Sequence, residues 1–459
     1  MDGMDLQVFV TTGLGDNSYL LTSGHEAAIV DPQRDVARFL EAIERRGVRV
    51  RWILETHVHN DYVSGGPELR AATGAEIVGP AEARFEFDHR PVSDGDEISL
   101  GDLVLVAVAT PGHTSEHTAY FLRSPESELP VALFSGGSLI VGSAGRTDLL
   151  GADHTDRLTR LQHGTMRRLS ELPDDVALLP THGAGSFCAT SPPGRDRTST
   201  LGAERLRNPA LRATDEETFV REQLEGLTRY PTYYADMGPI NRAGAAVFGH
   251  VPLPSPRSPD EIRRLMERGV PLVDTRPGHS FAGGHVPRAI NIPLESSFAS
   301  YVGWLLPFGH PLALVVQDDN ALAEAATQLF RIGIERIEGY LEGGIEAWRS
   351  SGADLESFPT IEVAHLVAEI RDGSAGDVLD VRQPTEWAAG HMEGSRHLFV
   401  GDVPDHVDEF DRSSPTTVIC ASGYRSAMAA SLLHRDGVPV RLVASGGVPG
   451  AVRALRSSS

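Results

Sequence analysis

"WILETHVHNDY", Trp52 to Tyr62, decides how the first half of this chain is read. An apolar β-type run, "WIL", gives way at once to His57, His59 and Asp61, followed by Tyr62 where another imidazole would complete a paired metal site. The pattern recurs downstream. "LVLVAVATPGH" ends on His113, "VALLPTHG" on His182, and "VALFSGG" ends on Gly136 and Gly137 without any ligand. Imidazoles on successive strand-end loops can converge on one ion, as a catalytic site with three protein ligands and an open position requires. His57, His59, His113 and His182 are therefore the candidate ligands, with Asp61 beside them to orient an imidazole.

Outward from this stretch, "LQVFVTT", "SYLLTS" and "AAIVD" read as strands. Val36, Phe39, Leu40 and Ile43 then fall at the i, i+3, i+4, i+7 spacing of a helix with one apolar face. Strands, helix, strand and then a ligand loop predict a layered α/β unit with its chemistry at strand ends.

The second half is a repeat. "LVDTRPGHSFAGGHVPRAINIP", Leu272 to Pro293, resembles "VLDVRQPTEWAAGHMEGSRHL", Val378 to Leu398, pairing Asp274 with Asp380 and His285 with His391. Each copy alternates short β-branched runs with helical stretches, "AEAATQLFRIG" ending at Gly333 and "SAMAASLLHRDG" at Gly437, which predicts a parallel sheet covered by helices. "VPLPSPRSPD" and "SGADLESFPT" read as linkers, so three domains are expected, at residues 1–250, 256–354 and 358–459.

Composition excludes several functions. The chain has 459 residues, a formal net charge of -22 and no lysine, all 41 basic residues being arginine. Schiff-base and P-loop lysine chemistry are excluded, and the negative charge argues against a nucleic-acid partner. No apolar run is long enough to span a bilayer, and the amino-terminal "MDGMDLQVFV" lacks the basic-then-apolar order of a signal peptide, so no membrane partner and a cytoplasmic location are expected. The two cysteines, Cys188 and Cys420, are read as separate thiols in a reducing compartment.

"VICASGYRS" sets Cys420 between the strand "TTVI" and the helix "SAMAASLL", with Gly423 and Arg425 in the loop. Such a loop turns backbone N–H groups toward one sulfur, and the helix start adds positive potential. Cys420 is the expected nucleophile of a persulfide, with Gly423 and Arg425 completing its loop. The first copy reads "LALVVQDDNALAEAA" at the same strand end, with no cysteine, which leaves it a packing or docking role. Cys188, in "HGAGSFCAT", reads as a small apolar filler near His182, with a redox or substrate-contact role left open.

The first half resembles the metallo-β-lactamase fold, within it the persulfide dioxygenases and their glyoxalase II relatives, on "THVHNDYVSGG", "TPGHT", "FSGGSLIVGSAGRTDL", "PTHG" and "RNPAL". The repeats resemble rhodanese domains, on the Cys420 loop and "LEGGIEAW". The resemblance implies an α/β chain: an αββα sandwich followed by two tandem rhodanese-like domains with parallel sheets. It implies that His57 and His113 match the relatives' ligands, that Gly137 stands where they carry an aspartate, and that Tyr62 replaces a second-metal histidine, which leaves His57, His59 and His113 as the expected metal ligands and His182 outside them. The four residues between Cys420 and Arg425 match the sulfurtransferase loop rather than the longer phosphatase one.

Together the two resemblances imply an enzyme of sulfide metabolism. A thiol persulfide and oxygen would become sulfite and thiol at one Fe(II), and Cys420 would pass sulfane sulfur to or from thiosulfate, sulfite or a low-molecular-weight thiol. Two alternatives stay open: a mononuclear Zn(II) thioester hydrolase fused to a sulfurtransferase, and a metal-free scaffold presenting one active rhodanese domain. His182 and Tyr62 are expected beside the substrate or the ligands. Arg146, in "GRTD", has two readings, a grip on a substrate carboxylate or a salt bridge to Asp148. The sequence leaves a homo-oligomer open.

Overall fold

The computed structural model describes residues 4–190 and 196–456. Residues 1–3 and 457–459, at the ends of the first and last expected domains, lie outside the described residues. The chain divides into two compact units, Met1–Val251 with Phe330–Gly333, and Pro252–Leu329 with Ile334–Ser459. Among the described residues no helix is long and apolar enough to cross a membrane.

In the first unit, a six-stranded sheet runs in chain order through Met4–Thr11, Asp16–Ser23, Glu26–Val30, Arg49–Leu54, Glu76–Pro80 and Arg90–Val92. A second six-stranded sheet is ordered Ser199–Thr200, Ala177–Pro180, Ala132–Gly136, Thr118–Arg123, Leu103–Ala109, Glu97–Leu100. Alternation along the strands builds the layers. Leu21, Ala28, Val30 and Leu54 point into the core between the sheets, where they meet Leu105, Tyr120 and Phe134. Their neighbours Leu20, Ile29 and Ile53 point the other way, onto Phe39 and Ala42 of helix Ala37–Arg46 and Leu69 of helix Gly66–Thr73. On the far side, Leu133 and Leu178 pack against Met166 and Leu169 of helix Ala152–Leu169. The result is the expected αββα sandwich, with "WIL" inside the strand Arg49–Leu54 and helix Ala37–Arg46 closed by Gly47 at φ 61°.

The second unit holds two five-stranded sheets of the same design. One is ordered Pro256–Arg257, Ile337–Leu341, Leu312–Val315, Leu272–Asp274, Ile290–Asn291, the other Thr360–Ile361, Val440–Val443, Thr416–Ile419, Asp377–Asp380, Arg396–His397. All their pairings are parallel. The repeated Asp and His residues are architectural. Asp274 and Asp380 end equivalent strands in bidentate pairs with Arg276 and Arg382, which also donate to the carbonyls of Gly284 and Gly390. His285 stacks on Phe281 and His391 on Trp387, each at 3.9 Å, with Nδ1 bonded to that aromatic residue's carbonyl. A buried carboxylate needs its cation, and the repeat keeps the pair because it joins strand to loop.

Candidate metal centre and sulfur loop

Strand ends bring His57, His59, His113 and His182 into one buried cluster. The rings of His57, His113 and His182 form a near-equilateral triangle, with centroid separations of 4.9, 5.4 and 5.3 Å and planes close to perpendicular. Hydrogen bonds behind the rings decide which nitrogen each presents. The Thr56 hydroxyl donates to Asp31, so it accepts from His57 Nδ1–H at 2.8 Å and leaves Nε2 forward. His113 Nδ1–H donates to the Arg146 carbonyl at 2.8 Å, and its Nε2 is buried without a partner. His182 Nδ1 is bonded to Asp16 at 2.8 Å, and its Nε2 faces His57 Nε2 at 3.4 Å. These are the orienting contacts that metal-ligating imidazoles require. Burial, reinforced by the neighbouring imidazoles, holds His57 and His113 well below the ordinary histidine range and lowers His182, so all three are neutral and keep their lone pairs.

His59 is turned the other way. Its Nε2 lies 3.2 Å from Asp31 and 3.4 Å from Glu55, and donates to the Tyr62 hydroxyl at 3.0 Å. Burial disfavours its charge, but the Asp31 and Glu55 carboxylates win and push it up to about 10. Its Nδ1 is buried without a partner. Tyr62 stacks on the His59 ring at 4.3 Å, and its hydroxyl donates to the Asp31 carbonyl. The loop is held by Asn241, whose amide donates to the carbonyls of His59 and Tyr62, and by Tyr233, which donates to that of Asp61.

Two overlapping triads offer donor atoms within 4.8 Å of one another: His57, His59 and His182; and His113, His182 and Cys188. Asp61 lies behind this group, 3.4 Å from His182 Nδ1, with neither oxygen hydrogen-bonded. Burial pushes Asp16 up to about 8 and Asp61, which also feels the Asp16 charge, up to about 7. The unpartnered buried nitrogens and the neutral His57, His113 and His182 imidazoles fit a divalent iron or zinc ion. His182 belongs to both triads, and His59 could add its Nδ1 only after giving up the charge that Asp31 and Glu55 favour.

Gly137 leaves no space for a carboxylate. A Cβ there would lie 2.3 Å from His113 Cδ2 and 2.9 Å from His182 Cδ2. Arg146 is already engaged: it is buried, bidentate to Asp148 at 2.7 Å, bonded to the carbonyls of Phe187 and Thr228, and set 4.3 Å over the Tyr230 ring. The structure thus places Arg146 in a salt bridge, with four of its five N–H donors already bonded. Asp31, Asp16 and His117 carry no motif that singles them out along the chain. His117 stacks on His57 at 4.8 Å, but its Nδ1 is bonded to Thr110 and its Nε2 to the Gly137 amide, so it supports the cluster without a free nitrogen. The only signal for Asp31 was its place directly after a strand, the rule that found the histidines.

In the second unit, Cys420 follows the strand Thr416–Ile419 and precedes the helix Tyr424–Arg435. Gly423 donates its amide to Sγ at 3.1 Å, and Ser426 Oγ lies 3.6 Å away. Gly423 has φ 106°, and a Cβ there would sit 2.1 Å from the Ala444 carbonyl oxygen, so only glycine makes the turn. Arg425 forms a bidentate pair with Glu386. Cys420 has 0% exposure, so a substrate reaches this sulfur only if the loop opens. Helix Phe298–Leu305 of the first copy closes over this region, Tyr301 meeting Tyr424 at 5.6 Å and Trp304 meeting Phe399 at 4.8 Å.

Comparison with known proteins agrees with this division. The metallo-beta-lactamase superfamily matches residues 11–182, and the rhodanese-like domain matches residues 258–351 and 363–452. A hydroxyacylglutathione hydrolase of Methylococcus capsulatus is 32% identical over 251 residues, covering 48% of this chain and 93% of the relative. One of Pseudomonas putida is 29% identical over 252 residues, covering 48% and 90%. A crystal structure of a metallo-beta-lactamase from Staphylococcus aureus superposes with a TM-score of 0.66 at 27% identity, over 74% of this chain and 99% of that one. The chain belongs to the metallo-beta-lactamase superfamily and carries two rhodanese-like domains after that unit.

Proposed function

We propose that this chain is a two-centre sulfur enzyme. In its first unit a low-molecular-weight thiol persulfide, oxygen and water become thiol and sulfite, R–S–SH + O2 + H2O giving R–SH + H2SO3. In its second unit the Cys420 thiolate attacks the outer sulfur of thiosulfate, the S–S bond breaks with its electron pair leaving on sulfite, and Cys420 keeps the sulfur as a persulfide. The observation that carries this reading is the pairing, in one chain, of a buried imidazole cluster with a Cys-x-x-Gly-x-Arg-Ser loop. His57, His113 and His182 would hold an iron ion there, which would supply the redox and Lewis-acid chemistry that the reaction with oxygen needs.

The residues of the chain do the rest. His57, His113 and His182 present neutral Nε2 donors, with Thr56, the Arg146 carbonyl and Asp16 fixing their tautomers. Asp16 and Asp61 lie behind His182 at its Nδ1 edge, where they fix the ring's orientation. At the second centre the Gly423 amide stabilises anionic sulfur, and Arg425 can offer its guanidinium to an anionic donor when Glu386 releases it. Sulfite released at one centre is an acceptor for sulfur held at the other, and a shared chain raises its effective concentration.

A second reading rests on the relatives named hydroxyacylglutathione hydrolase: a zinc-dependent hydrolysis of a thioester at the same cluster. Oxygen uptake separates the two. Purified protein given a thiol persulfide should consume oxygen, and His57→Ala should not. Equal uptake by both proteins would remove the oxidative reading, and zinc content with thioester turnover would replace it.

A further inference from the structure

The cluster has a charge problem. A divalent ion among neutral imidazoles leaves two positive charges at a buried site, and such charge is costly unless an anionic donor meets it. Gly137, where the resemblance implies a carboxylate, lies against the His113 and His182 rings, so a side chain there would displace them. Asp61 lies at the Nδ1 edge of His182, away from the Nε2 that faces His57. Asp31 and Glu55 lie at Nε2 of His59, the nitrogen facing away from the cluster.

Among the described residues one ionisable group remains on the inner side. Cys188, fully buried, offers its sulfur within 4.8 Å of donor nitrogens of both His113 and His182. The unpartnered His113 Nε2 is an independent sign that a ligand belongs there. One residue holds both donors in register. The Arg146 amide donates to the Cys188 carbonyl at 2.8 Å while the Arg146 carbonyl accepts from His113 Nδ1 at 2.8 Å, and the guanidinium binds the Phe187 carbonyl at 2.9 Å. The Cys188 amide is tied to Ser186 Oγ at 3.1 Å.

We propose that Cys188 is the anionic metal ligand of this centre, its thiolate taking the place of the carboxylate that Gly137 cannot carry. The thiol proton is lost on binding, and the Sγ–metal bond replaces Sγ–H, with no change of oxidation state. Arg146 then acts as a positioning residue, aligning a histidine and a cysteine from different loops.

This inference rests on the metal reading of the first unit, and cobalt separates the two. Full-length protein loaded anaerobically with Co(II) should bind about one ion and show an intense near-ultraviolet sulfur-to-cobalt charge-transfer band. Cys420→Ser, which leaves Cys188 as the only thiol, should keep the band. Cys188→Ser should lose it and bind cobalt at least 10- to 100-fold more weakly, the range already seen when only a supporting residue is lost, with circular dichroism confirming that it folds. Cobalt bound without the band, or a band that survives in Cys188→Ser, overturns Cys188 as a ligand while the metal centre stands. No bound cobalt at all overturns both.

Discussion

His57 and His182 confront each other through their Nε2 atoms at 3.4 Å, each with its other nitrogen already bonded. Two neutral acceptors at that distance repel unless a cation lies between them, so the metal content should depend on both. His57→Ala and His182→Ala should each lower metal affinity by 10- to 100-fold or more, read by elemental analysis after dialysis against a metal buffer. Removing the metal with a chelator should lower the unfolding temperature of the first unit in wild type and leave that of His57→Ala unchanged.

Gly137→Asp tests whether the lost carboxylate can be restored. Its Cβ would be 2.3 Å from His113 Cδ2, well inside contact distance. The rings must move apart, and the expected cost is on the order of 1–3 kcal/mol, read by urea unfolding. A gain in both metal affinity and stability would show that the loop yields more easily than its packing implies.

Cys420→Ser should abolish sulfur transfer from thiosulfate and leave the metal content unchanged. The two sites draw on different units, and Cys188 is the only other thiol. Transfer that survives would move the chemistry to Cys188.

The repeated aspartates should behave alike although only one copy carries the cysteine. Asp274→Asn and Asp380→Asn each leave a buried arginine without its carboxylate, with an expected loss of about 3–5 kcal/mol by denaturant unfolding. Asp274→Asn protein that remains folded should still transfer sulfur, because Cys420 and its loop belong to the other copy.

Glu386 gives the second unit a pH dependence. Burial raises its carboxyl, but the Arg425 guanidinium outweighs burial and holds it below the ordinary glutamate range. A depressed folded-state pKa contributes stability that is present above the unfolded value, near 4.5, and is lost as pH falls through the folded value. Urea midpoints of wild type and Glu386→Gln should therefore differ most near neutrality and converge in acid. A difference that grows as the pH drops would reverse the assignment.

How much was legible depends on the range of the interaction. The alternation of Leu20 with Leu21 and of Ile29 with Val30 is local, and it foretold which faces meet the helices and which meet the other sheet. Strand-end placement singled out His57, His59, His113 and His182, with His182 read as a neighbour rather than a ligand, and the tandem repeat was visible because equivalent residues do equivalent work at equivalent strand ends. Arg146 shows the limit. Its motif left a substrate grip and a salt bridge equally open, and only the approach of Asp148, Phe187, Thr228 and Tyr230 from scattered loops assigns its donors.

By itself, the order of residues determined the layers, the repeat, and the set of imidazoles and thiols that the chain can bring to chemistry, because these depend on periodicity and on side-chain type. Folding decided which nitrogen of each histidine faces inward, that no side chain fits at Gly137, that Cys188 stands beside His113 and His182, and that Cys420 is covered. A ring's orientation and a cavity's size are set by neighbours as distant along the chain as Asp16 and His182, 166 positions apart, and no local pattern records them.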